Sequence, residues 1–224
     1  MTELERILVG QTESHVDVFH GGVLVHRDAI VGLVDLKLRA EKDGMKLTLA
    51  SGFRGFEAQR RIWNAKALGR RDLVDINGSI LDFASLDDEQ IVNAILRWSA
   101  LPGASRHHWG TDFDVFDASA LPLGKNVQLV PQEAVAGGPF EKFSSWLDEN
   151  LEASGFFRPY QKDRGGVSPE WWHISFAPLS EKFMTAYSLP LLEQVIEAAE
   201  IEKKTIVQRR LPEIFEKYVM NITE

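Results

Sequence analysis

The sequence predicts an α+β domain, an antiparallel sheet with helices around it, followed by a C-terminal helical extension. Three observations carry this expectation. Asp112-Phe113-Asp114-Val115-Phe116 and His173-Ile174-Ser175-Phe176-Ala177 alternate polar and apolar residues, the two-residue period of strands. Segments with apolar residues at helical spacing lie before, between and after them. The chain has 224 residues, 44% of them hydrophobic, enough for a substantial core and better suited to one domain with an extension than to two full domains. We expect the main domain over residues 1–178 and a helical extension packed on it over 179–224.

Each element has its own signal. Residues 16–20 and 23–26 read as short strands around the turn Gly21-Gly22. From 27 to 42, Ile30, Leu33, Val34, Leu36 and Leu38 fall mostly at helical spacing, and Asp43-Gly44 closes the helix. Leu47-Thr48-Leu49-Ala50 is a buried strand feeding Ser51-Gly52-Phe53-Arg54, where Gly52 permits a close approach or a sharp turn into the next helix. Arg54 therefore stands at a strand end, and Gln59, Ile62 and Trp63 continue into a helix. Arg60-Arg61 and Arg70-Arg71 read as a solvated face. Residues 72–86 form a loop with a hairpin-type turn at Asn77-Gly78. Asp87-Asp88-Glu89 is the acidic first turn of a helix through Ile91, Ala94, Ile95 and Trp98, ended by Pro102-Gly103.

Residues 118–139 are a long connection with a short strand at 127–130. Phe140, Phe143, Trp146, Leu147 and Leu151 mark an amphipathic helix that ends near Gly155. A strand over 156–160 then enters the turn at 162–166, which returns the chain to Glu170. At least one of Trp171 and Trp172 should be structural. Residues 191–208 and 211–219 have helical spacing and form the extension.

Composition narrows the partners. Lys plus Arg number 25 against 33 Asp plus Glu, a net charge of −8, which argues against nucleic acid as a ligand. There is no cysteine, so a metal would be held by histidine and carboxylate alone. The start, Met1-Thr2-Glu3-Leu4-Glu5-Arg6, has no long apolar run, and no segment approaches the ~20 apolar residues of a membrane span. The expectation from these features is a cytoplasmic location with no membrane span.

Two stretches carry the chemistry. His107, Asp114 and His173 are the mixed nitrogen and oxygen set that suits catalytic zinc, with a fourth position left open. If the 112–116 and 173–177 strands pair, Asp114 and His173 point into one cleft, and the turn at Gly110 folds His107 back beside them. Glu170, three residues before His173, stands where a general base belongs. His20 and His26 read as ordinary surface or packed histidines. Taken alone, Arg54 would read as a surface arginine paired with Glu57.

Ser105-x-His107-x-x-Gly110-x-x-x-Asp114 followed by Glu170-x-Trp172-His173 resembles the paired signature of the zinc D-alanyl-D-alanine carboxypeptidases and dipeptidases, peptidoglycan-cutting peptidases with a Hedgehog-type fold. Ser51-Gly52-Phe53-Arg54-Gly55-Phe56-Glu57-Ala58-Gln59 resembles the upstream segment of that family, whose arginine faces the substrate. The likeness spans roughly residues 45–178. It implies that residues 1–178 are the catalytic domain and that His107, Asp114 and His173 hold one Zn2+ per chain. It implies Glu170 as the base, Arg54 as the polarising cation and substrate contact, Ser105 and Trp172 on the substrate side, and His108 either on that side or in support behind the ligands. Asp112 stands where the family has a small apolar residue; it either orients His107 through a hydrogen bond or is itself the carboxylate ligand.

The implied activity is a carboxypeptidase or dipeptidase acting on peptidoglycan-type peptides. The alternatives are an endopeptidase of peptidoglycan cross-links and a zinc-binding cell-wall module without turnover, the latter disfavoured by a free Glu170. Such a substrate sets a periplasmic or cell-wall location against the cytoplasmic expectation. Oligomeric state is not encoded in any of these signals.

Overall fold

A computed structural model describes residues 1–223. The chain runs α1 (Glu3–Leu8), β1 (Val16–Val18), β2 (Leu24–His26), α2 (Ile30–Lys42), β3 (Leu47–Ser51), α3 (Phe56–Ala67), α4 (Asp88–Leu96), β4 (Asp112–Asp117), α5 (Glu141–Asn150), β5 (Phe156–Phe157), β6 (His173–Phe176), α6 (Ala177–Ala186), α7 (Leu189–Ala198) and α8 (Lys204–Ile214). Four strands form one sheet in the order β3-β4-β6-β5, and β1 and β2 form a separate hairpin. Every pairing is antiparallel. This is the α+β class the alternating segments predict.

Two helices start where side chains supply the missing backbone partners. Thr2 and Glu5 form a reciprocal capping box on α1, and Asp87 and Gln90 do so on α4. The acidic run at 87–89 is thus a cap plus a first turn that favours the helix dipole.

β4 organises the sheet. Both of its faces are buried, because one face packs and the other reacts. Phe113 and Val115 enter an apolar cluster with Leu33 and Leu36 of α2, Phe143 and Leu147 of α5, and Ile174 of β6. Asp112 and Asp114 occupy the opposite face. The β3–β4 register shifts between Leu49 and Ser51, which leaves Ser51 opposite Asp114 at the end of β3. That irregularity turns the chain toward Arg54.

A second apolar cluster joins α1, α3 and α4 to the last three helices. Trp63, Ile91, Ile95 and Leu8 pack with Leu192, Ile196, Val207 and Leu211. The C-terminal helices therefore bury the outer side of α3.

Several elements differ from the sequence reading. No strand forms at 127–130, because Glu133 uses its carboxylate to accept the backbone N–H groups of Gln128 and Val130. The strand over 156–160 shortens to Phe156–Phe157, and Pro159 beyond it has no N–H to give a ladder. α6 was not anticipated; Pro178 opens it from the first turn, where a missing N–H costs nothing. The helix expected over 191–208 is broken at 199–203, where Lys203 adopts φ 59° before α8 begins. β3 is only partly buried, as fits the edge of the sheet. The turn at Asn77-Gly78 is present, closed by a Val74–Ile80 bridge with Gly78 at φ 80°. Among the described residues no helix is long and apolar enough to cross a membrane.

Candidate metal centre

The centre is assembled by strand register and one tight turn. Ser105 leads into a single 3-10 turn, Arg106–Trp109, which Gly110 ends at φ 66°. A Cβ on Gly110 would lie 2.8 Å from the His26 backbone nitrogen, so this reversal needs glycine. It returns the chain into β4 with His107 beside Asp114. On the other side, Asp114 pairs directly with His173 in the β4–β6 ladder.

Distances then select the ligand atoms. His107 Nε2 lies 3.5 Å from Asp114 Oδ2, and His173 Nδ1 lies 3.4 Å from Asp114 Oδ1. The two rings are 4.9 Å apart. One donor atom from each of His107, Asp114 and His173 falls within 4.8 Å of the others, and all three residues are buried. His107 donates its Nδ1–H to the Gly52 carbonyl at 2.9 Å, so Nε2 is the nitrogen left for a cation. Two imidazoles and one carboxylate with no thiolate are the donor set of a catalytic zinc site. The residues fit the ion.

Charge agrees with that use. Burial carries the His107 pKa down to about 4, against the pull of Asp114, so this ring is neutral. Burial also acts to lower His173, but hydrogen bonds to Asp112, Asp114 and Glu170 override it and hold His173 well above its ordinary value. In the metal-free protein His173 thus carries the positive charge that a metal would bring. Burial pushes Asp114 up, but His107 and His173 outweigh it and keep its carboxyl below the usual range.

Glu170 sits at the edge of this set, with Oε2 3.4 Å from His173 Nδ1. Its backbone N–H donates to the Tyr160 carbonyl at 2.9 Å, and the Tyr160 ring stands edge-on to His173 at 5.0 Å. Burial raises the Glu170 pKa, opposed by His173. Such a carboxylate can take a proton and give it back.

Arg54 is held by neutral partners. Its Nη1 donates to Gln59 Oε1 and its Nη2 to Ser51 Oγ, both at 3.0 Å, while Gln59 Nε2 donates to the Ala100 carbonyl at 2.7 Å. Among the described residues no carboxylate lies within 4.0 Å of it, and Glu57 pairs with Arg60 instead. The surface pairing with Glu57 is therefore not formed. Burial lowers the Arg54 pKa, and the fields of Asp114 and Glu170 oppose that shift.

The structure corrects the role of two residues. His108 is not on the substrate side: it is 0% exposed, donates Nδ1–H to the Arg54 carbonyl at 2.5 Å and accepts the Gly103 N–H at 3.1 Å. It ties the Arg54 loop to the Pro102-Gly103 turn. Asp112 does not orient His107 and has no free oxygen for a metal. Its Oδ1 accepts from Arg106 Nε at 2.7 Å and lies 3.1 Å from His173 Nε2, while its Oδ2 accepts from Thr111 Oγ1 at 2.8 Å and Ser175 Oγ at 3.1 Å. Burial would raise its pKa, but Arg106 and then His173 hold it far below the usual range.

Ser105 is nearly sealed, and its carbonyl accepts the His108 N–H at 3.0 Å. Trp171 packs on Phe140 and joins the core, whereas Trp172 lies outside both apolar clusters, edge-on to Trp171 at 5.6 Å. His26 is packed against His15, and His20 is exposed. Sequence reasoning missed Tyr160, Lys66, and the parts that Gln59, Arg106 and Ser175 play. Lys66 is half-buried and donates to Ser99 Oγ at 2.7 Å, and among the described residues no carboxylate lies within 4.0 Å of it. Burial takes its pKa down to about 8; Arg71 and Arg54 add to the shift and Glu170 opposes it.

An antiparallel sheet that presents a buried His-Asp-His cluster with a glutamate at its edge defines a metal-dependent hydrolase. Comparison with known proteins carries this further. The family model described as VanY, D-alanyl-D-alanine carboxypeptidase, matches residues 22–179, and the chain belongs to that family. It is 37% identical over 122 residues to an uncharacterized protein of Haemophilus influenzae, covering 54% of this chain and 93% of that one. It is 29% identical over 147 residues to a D-alanyl-D-alanine carboxypeptidase of Enterococcus faecalis, covering 64% of this chain and 45% of that one.

Among solved structures, VanYB in complex with D-alanine-D-alanine superposes with a TM-score of 0.56 at 22% identity, covering 85% of this chain and 92% of that one. A mutant of the vancomycin resistance D,D-pentapeptidase VanY in complex with Zn(II) gives 0.53 at 23% identity, covering 80% and 88%. These likenesses establish the fold as that of the DD-peptidases.

Proposed function

We propose that the chain is a zinc D-alanyl-D-alanine carboxypeptidase or dipeptidase that hydrolyses a peptide bond in peptidoglycan-derived peptides. The observation that carries this is the His107-Asp114-His173 cluster with Glu170 3.4 Å from His173 Nδ1, inside the segment that matches the carboxypeptidase family. In this reading His107 Nε2, an Asp114 oxygen and His173 Nδ1 hold one zinc ion. Bound there, zinc supplies a Lewis acid that polarises the scissile carbonyl and lowers the pKa of a water to about 7.

The remaining steps belong to side chains. Glu170 takes the proton of the attacking water and returns it to the leaving amine. Arg54, fixed by Gln59 and Ser51, meets the negative charge that develops on the carbonyl oxygen. Ser105 and Trp172 complete the substrate side. Lys66 supports an exopeptidase over an endopeptidase: a half-buried ammonium with no counter-ion among the described residues, in the field of Glu170 and Arg54, suits a substrate that ends in a free carboxylate.

Residues 1–178 are the catalytic unit in this reading, and the helices from 179 onward are an extension packed against α3 and α4. Its work lies at the cell wall or on wall fragments and precursors within the cell. The test is incubation of the zinc-loaded protein with defined muropeptides and analysis of the products by mass. Loss of one terminal alanine is the expected result. Cleaved cross-links would identify an endopeptidase, and zinc binding without turnover a wall-binding module.

A further inference from the structure

His173 lies between two carboxylates, and either ring nitrogen could serve a metal. Asp114 Oδ1 stands 3.4 Å from Nδ1 and Asp112 Oδ1 stands 3.1 Å from Nε2. A 180° turn of the ring would put carbon atoms where the two nitrogens stand and lose both contacts, so each nitrogen keeps its own carboxylate and offers a cation its own side. What separates the sides is neutralisation. Asp112 forms an ion pair with Arg106 at 2.7 Å and accepts two further hydrogen bonds, from Thr111 and Ser175. Among the described residues the charged side-chain nitrogens within 4.0 Å of Asp114 are those of the two imidazoles, with no arginine or lysine.

Arg106 is itself immobilised. Its Nη2 donates to Ser175 Oγ at 2.7 Å, and its guanidinium lies over the Trp109 ring at 4.7 Å and the Phe157 ring at 5.8 Å. Ser175 is the register partner of Asp112, just as His173 is the partner of Asp114. Two rungs on one face of the sheet, separated by the Phe113–Ile174 rung that faces the core, therefore supply both the metal position and its support. Asp112, where the sequence signature has a small apolar residue, and Arg106, inside the histidine motif, come as a matched pair of buried charges.

We infer that Asp112 and Arg106 are a positioning pair that holds His173 with Nε2–H donating to Asp112 and Nδ1 facing the metal position, and so set the affinity of the site for its metal. The pair also keeps Asp112 from acting as a rival anion. This rests on the zinc reading of the His107-Asp114-His173 cluster. Removing a residue that orients a metal-bound histidine weakens metal binding by about 10–100-fold.

The test is the zinc dissociation constant, measured by chelator competition on wild type, Asp112→Asn and Ser175→Ala. Asp112→Asn removes the charge and keeps the shape. It should weaken zinc binding by about 10–100-fold, with a smaller loss in Ser175→Ala, and kcat should largely recover at saturating zinc. NMR of the zinc-loaded proteins should show the His173 Nε2–H proton exchanging faster in Asp112→Asn. A folded Asp112→Asn protein with wild-type zinc affinity overturns the inference. If that variant does not fold, Thr111→Val with Ser175→Ala leaves both charges in place, and an unchanged dissociation constant there overturns it equally. Failure of the wild type to bind zinc would instead sink the reading of the cluster itself.

Discussion

Asp114 and His173 are direct partners across the β4–β6 ladder, and their nearest polar side-chain atoms are 3.4 Å apart. The same register sets Phe113 against Ile174 on the apolar face. A slip of one residue would send His173 into the core and Ile174 into the site. The packing that stabilises the sheet is therefore what assembles the metal ligands.

Single replacement of His107, Asp114 or His173 by Ala should abolish stoichiometric zinc binding, since each supplies one of three protein ligands. Replacement of His20 or His26 should leave the zinc content unchanged. Elemental analysis of purified variants decides this, and full occupancy in any of the first three would show the ligand set to be wrong.

Glu170→Gln should keep both zinc and fold while losing turnover by at least ~100-fold, the lower end for a positioned acid or base. Because burial raises the Glu170 pKa, wild-type activity should fall on the acid side through a value above that of an ordinary glutamate. If Glu170→Gln loses its metal, Glu170 is a ligand rather than the base.

Zinc binding near neutral pH should release about one proton, because His107 is already neutral while His173 is protonated and must give up Nδ1–H. Affinity should rise with pH up to the elevated His173 value. In the metal-free protein the sign is opposite: a raised folded-state pKa contributes stability that is complete below about 6.5 and is lost as pH climbs through the raised value. Titration calorimetry in buffers of different ionisation enthalpy counts the proton; none released at pH 6 would contradict the assignment.

Lys66→Met should raise KM about tenfold or more for a peptide with a free C-terminal carboxylate, the scale of a lost charged hydrogen bond. A peptide amide should be a poor substrate for the wild type and no worse for the variant. Equal KM values for the acid in both proteins would remove Lys66 from substrate recognition.

Much of the site was legible because its chemistry and its secondary structure share one period. The alternation in 112–116 and 173–177 placed Asp114 and His173 on a common face, and glycine at 110 announced the turn that returns His107. The sequence left His108 between a supporting and a substrate-side place, because adjacent histidines in a 3-10 turn point to different sides and one of its partners, Arg54, is distant in sequence. Asp112 was expected to steady His107 and steadies His173, which follows from strand pairing and not from proximity along the chain. α6 was overlooked because proline at 178 reads as an end, although it also suits a beginning. Lys66 and Tyr160 carried no local signal; only the packing of α3 and of the segment after β5 brings them near Glu170.

The helix that carries Gln59 is clasped from behind by the corner between α7 and α8. Arg60 Nη1 and Asn64 Nδ2 both donate to the Glu200 carbonyl at 3.1 Å, Trp63 Nε1 donates to the Glu202 carbonyl at 3.0 Å, and the Glu202 N–H returns to Asn64 Oδ1 at 2.9 Å. α3 is thus anchored to the C-terminal helices by side-chain hydrogen bonds and shared apolar packing. Local opening at residues 199–203 would loosen Gln59, and with it Arg54, while β4 and β6 stay paired. Damage to this distant corner would then present as a protein that still binds its metal and melts its sheet normally, yet has lost its grip on the transition state.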